Sequence, residues 1–190
     1  METDKAALRA QLRAARARRP AHDHAAVADA VRDHLLALPV LGSARRVATY
    51  LALPTEPSLA PLHEVLLGRG TEVVVPVVVD GESLDWVALT PGDTFTAGRL
   101  GILEPSGPRL GPGALAGVDL VLAPALAVDH AGHRLGQGAG YYDRALQGSR
   151  SPVCAVVFAD ELLPEVPHEP HDVPVQMAVT EQGVFRVPQA

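Results

Sequence analysis

Residues 119–146 read DLVLAPALAVDHAGHRLGQGAGYYDRAL, and the order of residue types along them predicts a strand, a glycine-rich loop and a helix. Leu120, Val121 and Leu122 form an apolar run that leads into Pro124, as a strand buried on both faces does. A short polar turn at 129–132 follows, and then Arg134, Gly136, Gly138 and Gly140 lead directly into Tyr141, Tyr142, Asp143 and Arg144. Alternate glycines leave backbone N–H groups uncovered by Cβ atoms, and a helix opening near Tyr141 adds the positive end of its dipole. A chain can hold phosphate in this way without much net charge. Arg134 and Arg144 supply flanking cations, and Asp143 is able to face a cation held by phosphates. A tight turn needed only for packing is the competing reading. The loop lacks the Lys followed by Ser or Thr that a P-loop needs, and Tyr141 stands where a dinucleotide fingerprint has its last glycine.

Outward from this stretch, short apolar runs at 47–51, 73–79, 84–89, 118–122, 153–158, 173–180 and 184–187 alternate with helical spacing at 22–38 and 59–67. That alternation predicts an α/β fold, with a mixed, mostly parallel central sheet covered on both faces. The 190 residues suit a single three-layer domain over 1–190. Pro76 favours a strand edge or bulge at that point. The Gly- and Pro-rich stretch between 90 and 119, with Phe95, Leu100, Ile102 and Leu103 to pack, is expected to lie across the domain and line a cleft, with a plain surface connection as the competing reading.

Residues 1–20 hold six basic and two acidic side chains, so they are net +4 while the remaining 170 residues are net −10. Lys5, Arg9, Arg13 and Arg16 recur at helical spacing and share one face with a thin apolar seam, Leu8 and Leu12. One or two of these cations reach an anionic ligand, or the face is simply solvated. The overall charge of −6 argues against a surface built to hold a nucleic-acid backbone. Nothing resembles a signal peptide or a membrane span, and the single cysteine, Cys154, in an apolar run, fits a buried thiol in a reducing compartment; the cytoplasm is expected. No serine sits in a nucleophile elbow. A reaction in which the substrate is itself the nucleophile suits this inventory, the protein supplying position and charge.

Five strings, KAALR at 5–9, LPTEP at 53–57, GILEP at 101–105, the loop just described and LPEVPHEPHDVPVQMAVTEQG at 163–183, resemble the 5-formyltetrahydrofolate cyclo-ligase family over nearly the whole chain. The resemblance implies ATP and Mg²⁺ as cofactors and 5-formyltetrahydrofolate as substrate, converted to 5,10-methenyltetrahydrofolate with release of ADP and phosphate. It implies Lys5, Arg9, Arg134, Gly136, Gln137, Gly138, Gly140, Tyr141, Tyr142, Asp143 and Arg144 as the nucleotide site, with Lys5 and Arg144 acting on the transferring phosphoryl group. Glu56 and Tyr142 are implied for the folate, and Asp143 and Asp172 for the metal. The implied course is attack of the formyl oxygen on the γ-phosphoryl group, then ring closure by N10. A monomer without membrane or nucleic-acid partners is expected.

The chain departs from the family pattern at Gln137, where relatives often carry a larger side chain, in some cases Arg or Lys, and at Gln176, where Asp is usual. Pro57, Ser58 and Leu59 also replace a Val-Asp-Thr-like continuation after Glu56. The two glutamines compensate one another if they face each other and act separately if they do not. The alternative to an active enzyme is a diverged nucleotide- or pterin-binding member with little or no cyclo-ligase activity.

Overall fold

The computed structural model describes residues 2–79, 83–98, 101 and 103–188. Its elements in chain order begin with α1 (Glu2–Ala17), α2 (Ala21–Leu36), α3 (Pro39–Ser43), β1 (Arg46–Ala48), α4 (Ala60–Gly68), β2 (Glu72–Val78) and β3 (Leu84–Ala88). Next come β4 (Phe95–Ala97), β5 (Leu103–Pro105), β6 (Leu120–Pro124), β7 (Ala127–Asp129), β8 (Arg134–Leu135) and α5 (Tyr141–Leu146). The chain closes with β9 (Val153–Val156), β10 (Leu162–Leu163), β11 (Met177–Thr180) and β12 (Gly183–Arg186).

Among the described residues, seven strands form one sheet in the order β12-β11-β9-β6-β1-β2-β3. The pairs from β2 to β11 are parallel, and the edge strands β3 and β12 are antiparallel to their neighbours. This is the mixed, mostly parallel sheet that the apolar runs predict. Side chains alternate between two cores because successive Cβ atoms point to opposite faces. Val73, Val75, Leu120, Leu122, Cys154 and Val156 pack beneath Val31 and Leu35 of α2 and Leu62 and Leu66 of α4. Val74, Trp86, Val121, Ala123 and Ala155 face the other way, toward Leu146 of α5 and a 3-10 turn at Pro112–Leu115. A small sheet, β10-β7-β8, carries α1, whose Leu12 packs on Leu126, Leu135 and Val166.

Two local expectations give way. Pro76 lies within a continuous strand, second from the sheet edge and paired with Trp86. The carbonyl of Trp86 turns outward to accept from Leu110 N–H at 2.9 Å, while Leu89 N–H bonds Val73 O at 2.7 Å. Position 76 is therefore a non-bonded pair toward β3, and its missing N–H faces the β1 side, just past the last registered pair of that ladder, Ala48 with Val74. The described residues of the 90–119 stretch do not line the cleft described below: they form the β4–β5 pair, a bridge from Arg109 to Val87, and the 3-10 turn under the second core. Leu100 and Ile102 lie outside the described residues. Pro39 opens α3 at its first turn, where a missing N–H costs nothing.

The chain runs from β1 outward to β2 and β3, then returns to place β6 on the other side of β1. That reversal is the kind of switch point at which an open α/β sheet leaves a crevice beyond the carboxyl ends of its strands.

Candidate active site

A cleft of about 570 Å³ opens at that crevice. Its floor is made by Tyr50 and Leu51 just after β1, Pro76 and Val78 at the end of β2, and Pro124 at the end of β6. One wall is the 134–144 loop, another is α1, and a third is the 169–172 segment. The volume falls in the range of small-molecule sites. The structure brings every site residue named from the sequence to this cleft, from Lys5 and Arg9 through Glu56 and the loop to Asp172.

Within the loop, Gly138 (φ +106°) and Gly140 (φ +68°) occupy backbone conformations that L side chains rarely adopt. A Cβ at Gly138 would also approach the Arg9 guanidinium at 3.5 Å. Arg134, only 6 % exposed, donates to Asp143 Oδ1 at 2.6 Å and lies over the Tyr142 ring at 5.6 Å. Its Nε and the Tyr142 hydroxyl are buried without a hydrogen-bond partner among the described residues. Burial pushes the Tyr142 phenol well above its ordinary range, so it stays a protonated donor. Arg144 is exposed at the lip and donates to Ala139 O at 2.8 Å.

Helix α1 forms because Ala, Leu, Arg and Gln favour it, and its four-residue spacing directs Lys5, Arg9 and Arg13 to the cleft. Arg9 Nε donates to Gly136 O at 3.1 Å. Lys5, 4 % exposed, donates to Asp172 Oδ2 at 2.7 Å and Glu169 Oε2 at 2.8 Å. Burial pulls the ammonium down, but bonds to the two carboxylates outweigh it and raise Lys5 above the ordinary lysine value. Burial likewise opposes ionisation of Asp172, yet the Lys5 bond and the Glu169 N–H hold it below the usual range; Glu169 is lowered mainly by Lys5.

Gln137 Oε1 accepts from Arg13 Nε at 3.1 Å, and its Nε2 donates to Glu56 Oε1 at 3.1 Å. Gln176 is elsewhere: it accepts from Val153 N–H at 2.8 Å and donates to Pro174 O at 3.4 Å. The two departures do not face each other.

The two metal candidates also have different company. Asp143 is paired with Arg134, whereas Asp172 belongs with Glu169 and His171, whose ligand atoms and its own lie within 4.8 Å of one another. Sequence reasoning missed Glu169 and His171, although the string HEPHD at 168–172 set both within three positions of Asp172. It also left Arg13 among the helix cations without a role, because its partner lies 124 positions away.

Comparison with known proteins adds a second line of evidence. A model of the 5-formyltetrahydrofolate cyclo-ligase family matches residues 1–181. The chain is 40% identical over 160 residues to the 5-formyltetrahydrofolate cyclo-ligase of Mycolicibacterium smegmatis, covering 80% of this chain and 81% of that one. With the Escherichia coli protein of the same name the identity is 30% over 157 residues, covering 80% and 86%. The solved structure of Aquifex aeolicus 5,10-methenyltetrahydrofolate synthetase superposes with a TM-score of 0.83 at 29% identity, covering 98% of this chain and 94% of that one.

Proposed function

The chain belongs to the 5-formyltetrahydrofolate cyclo-ligase family, and from that premise we propose how its cleft divides the work of the reaction. The protein catalyses the ATP-dependent conversion of 5-formyltetrahydrofolate to 5,10-methenyltetrahydrofolate. Residues 1–190 act as one domain, as a cytoplasmic monomer. The observation that carries the assignment of roles is that α1 and the glycine-rich loop converge on one cleft with Glu56 at its side.

Lys5, Arg9, Arg134 and Arg144 surround the phosphates, and the backbone N–H groups of Gly136, Gly138 and Gly140 complete the cradle, with Tyr141 at its edge. Transfer to the formyl oxygen shifts charge among the phosphoryl oxygens, and preorganised cations lower the barrier where that change is greatest. Lys5 and Arg144 take this catalytic role. Glu56 and Tyr142 hold the folate; the unpartnered Tyr142 hydroxyl is a donor whose desolvation is already complete in the folded protein. Closure of the ring by N10 requires proximity to the activated carbon rather than a nucleophilic side chain: the N10–C bond forms, the bond from that carbon to the phosphorylated oxygen breaks, and phosphate departs with the N10 proton.

The residues present fit Mg²⁺. Asp143 engages Oδ1 with Arg134 and Val173 N–H, and Asp172 engages Oδ2 with Lys5 and Glu169 N–H, so the second oxygen of each carboxylate would be the one to hold a hard cation. Mg²⁺ supplies neutralisation of phosphate charge when bound. Lys5 keeps the 169–172 carboxylates and the phosphates from repelling one another.

The test is methenyl product formation by the pure protein, followed by its absorbance. Turnover that requires ATP and falls on removal of Mg²⁺ by chelation is expected. Binding of nucleotide and folate without product would refute the reading.

A further inference from the structure

Gln137 touches both halves of the cleft. Arg13 of α1 donates to it twice, from Nε to the side-chain oxygen at 3.1 Å and from Nη2 to the backbone carbonyl at 2.6 Å. Gln137 Nε2 in turn donates to Glu56 Oε1 at 3.1 Å, while Glu56 Oε2 accepts from Leu53 N–H at 3.0 Å. Glu56 is 6 % exposed, and both of its oxygens are held: one by its own turn, the other by the glycine-rich loop.

The amide has one workable orientation. Reversed, its NH₂ would meet guanidinium donors and its oxygen would meet a carboxylate. A neutral head with an acceptor on one side and a donor on the other joins a cation to an anion without adding charge. A glutamate here would keep the Arg13 contact and repel Glu56; a lysine or arginine would keep the Glu56 contact and repel Arg13.

We propose that Gln137 is a positioning residue for the folate, passing the docking of α1 on the loop to the Glu56 carboxylate. The inference rests on the reading of the cleft as a cyclo-ligase site with Glu56 on the folate. It gives the Gln137 side chain a different task from phosphate binding, for which the loop backbone remains available. Because the same loop cradles the nucleotide, its seating and the orientation of Glu56 are coupled, and that coupling acts in both directions.

The test compares wild type with Gln137→Leu, Gln137→Glu, Arg13→Met and the Arg13→Met/Gln137→Leu double variant, each checked for folding by thermal melting; Gln137→Met replaces the leucine variant if that one does not fold. Wild-type turnover judges the cyclo-ligase reading itself, and its absence would overturn both. Given turnover, Gln137→Leu should raise KM for 5-formyltetrahydrofolate about tenfold, the loss of the hydrogen bond to the Glu56 carboxylate, with KM for ATP moving less than about threefold. Gln137→Glu should raise the folate KM at least as far. Arg13→Met should show part of the effect and add nothing once Gln137 is leucine, since both act through one relay. A folate KM that does not move, a larger effect on ATP than on folate, or additive losses in the double variant would each overturn the proposal.

Discussion

Arg144 and Arg18 carry the same charge in different company. Arg144 stands at the cleft beside the glycine-rich loop, while Arg18 is exposed just beyond the end of α1 and outside the cleft lining. Arg144→Ala should lower kcat/KM for ATP by about 10- to 100-fold, the range for a lost charge-assisted contact, and Arg18→Ala should change it by less than about twofold. Steady-state kinetics on folded variants decide, and equal losses would remove Arg144 from the phosphate site. At this scale the sequence reveals kinds of residue better than partnerships. The spacing of Lys5, Arg9 and Arg13 put three cations on one helical face, but the carboxylates that hold Lys5 lie 164 and 167 positions away, and no local period carries such a pairing.

The element that matters most to the site is α1, because it is fastened at its far end. Arg16 donates to Glu161 Oε1 and Oε2 at 2.7 and 2.8 Å and to Ala125 O at 2.5 Å, and Arg19 pairs with Asp160 at 2.8 Å. Arg16 and Glu161 are almost wholly buried, so Arg16→Met would strand a carboxylate in the interior. A loss of about 3 kcal/mol in urea unfolding is expected, and a loss under about 1 kcal/mol would show that water reaches Glu161. Helix α4 supplies a pH signature. His63, on its buried face and bonded to Thr49 Oγ1 at 2.9 Å, is pushed down by burial from 6.5 to about 4. The folded protein keeps the imidazole neutral while the unfolded chain protonates it first. The stabilisation is therefore full above pH 6.5 and lost as pH falls toward 4, about 3 kcal/mol in all. His63→Gln should flatten that part of the stability profile; an unchanged slope between pH 6.5 and 4.5 would refute the assignment. Strands such as β6 and β9 were legible because a parallel sheet covered on both faces needs unbroken apolar runs. The 90–119 segment was not, since its strand pair and 3-10 turn depend on what they pack against, and Gly and Pro density marks a break in regular structure without saying where the chain goes.

For the whole molecule, the charge asymmetry of the sequence becomes a closure: a basic helix folded across an acidic body, with Lys5, Arg16 and Arg19 each meeting carboxylates contributed by residues 160–172. The cleft lies where these distant parts of the chain meet, so occupancy by ligand and integrity of the fold are linked. Cys154 makes the link measurable. Its side chain is fully buried in the middle of β9, and burial pushes its thiol up to about 12. With no other cysteine in the chain, alkylation adds one mass increment to a molecule only after the central sheet has come apart. Labelling should accelerate with urea in step with global unfolding, and labelling in the native state as fast as that of a free thiol would refute the closed core. Nucleotide and folate should slow it by the factor 1 + [L]/Kd. This chain thus carries its own clock: the arrival of a substrate at the cleft can be timed by how long one sulfur, in the strand paired with β6 beneath the cleft, remains unmodified.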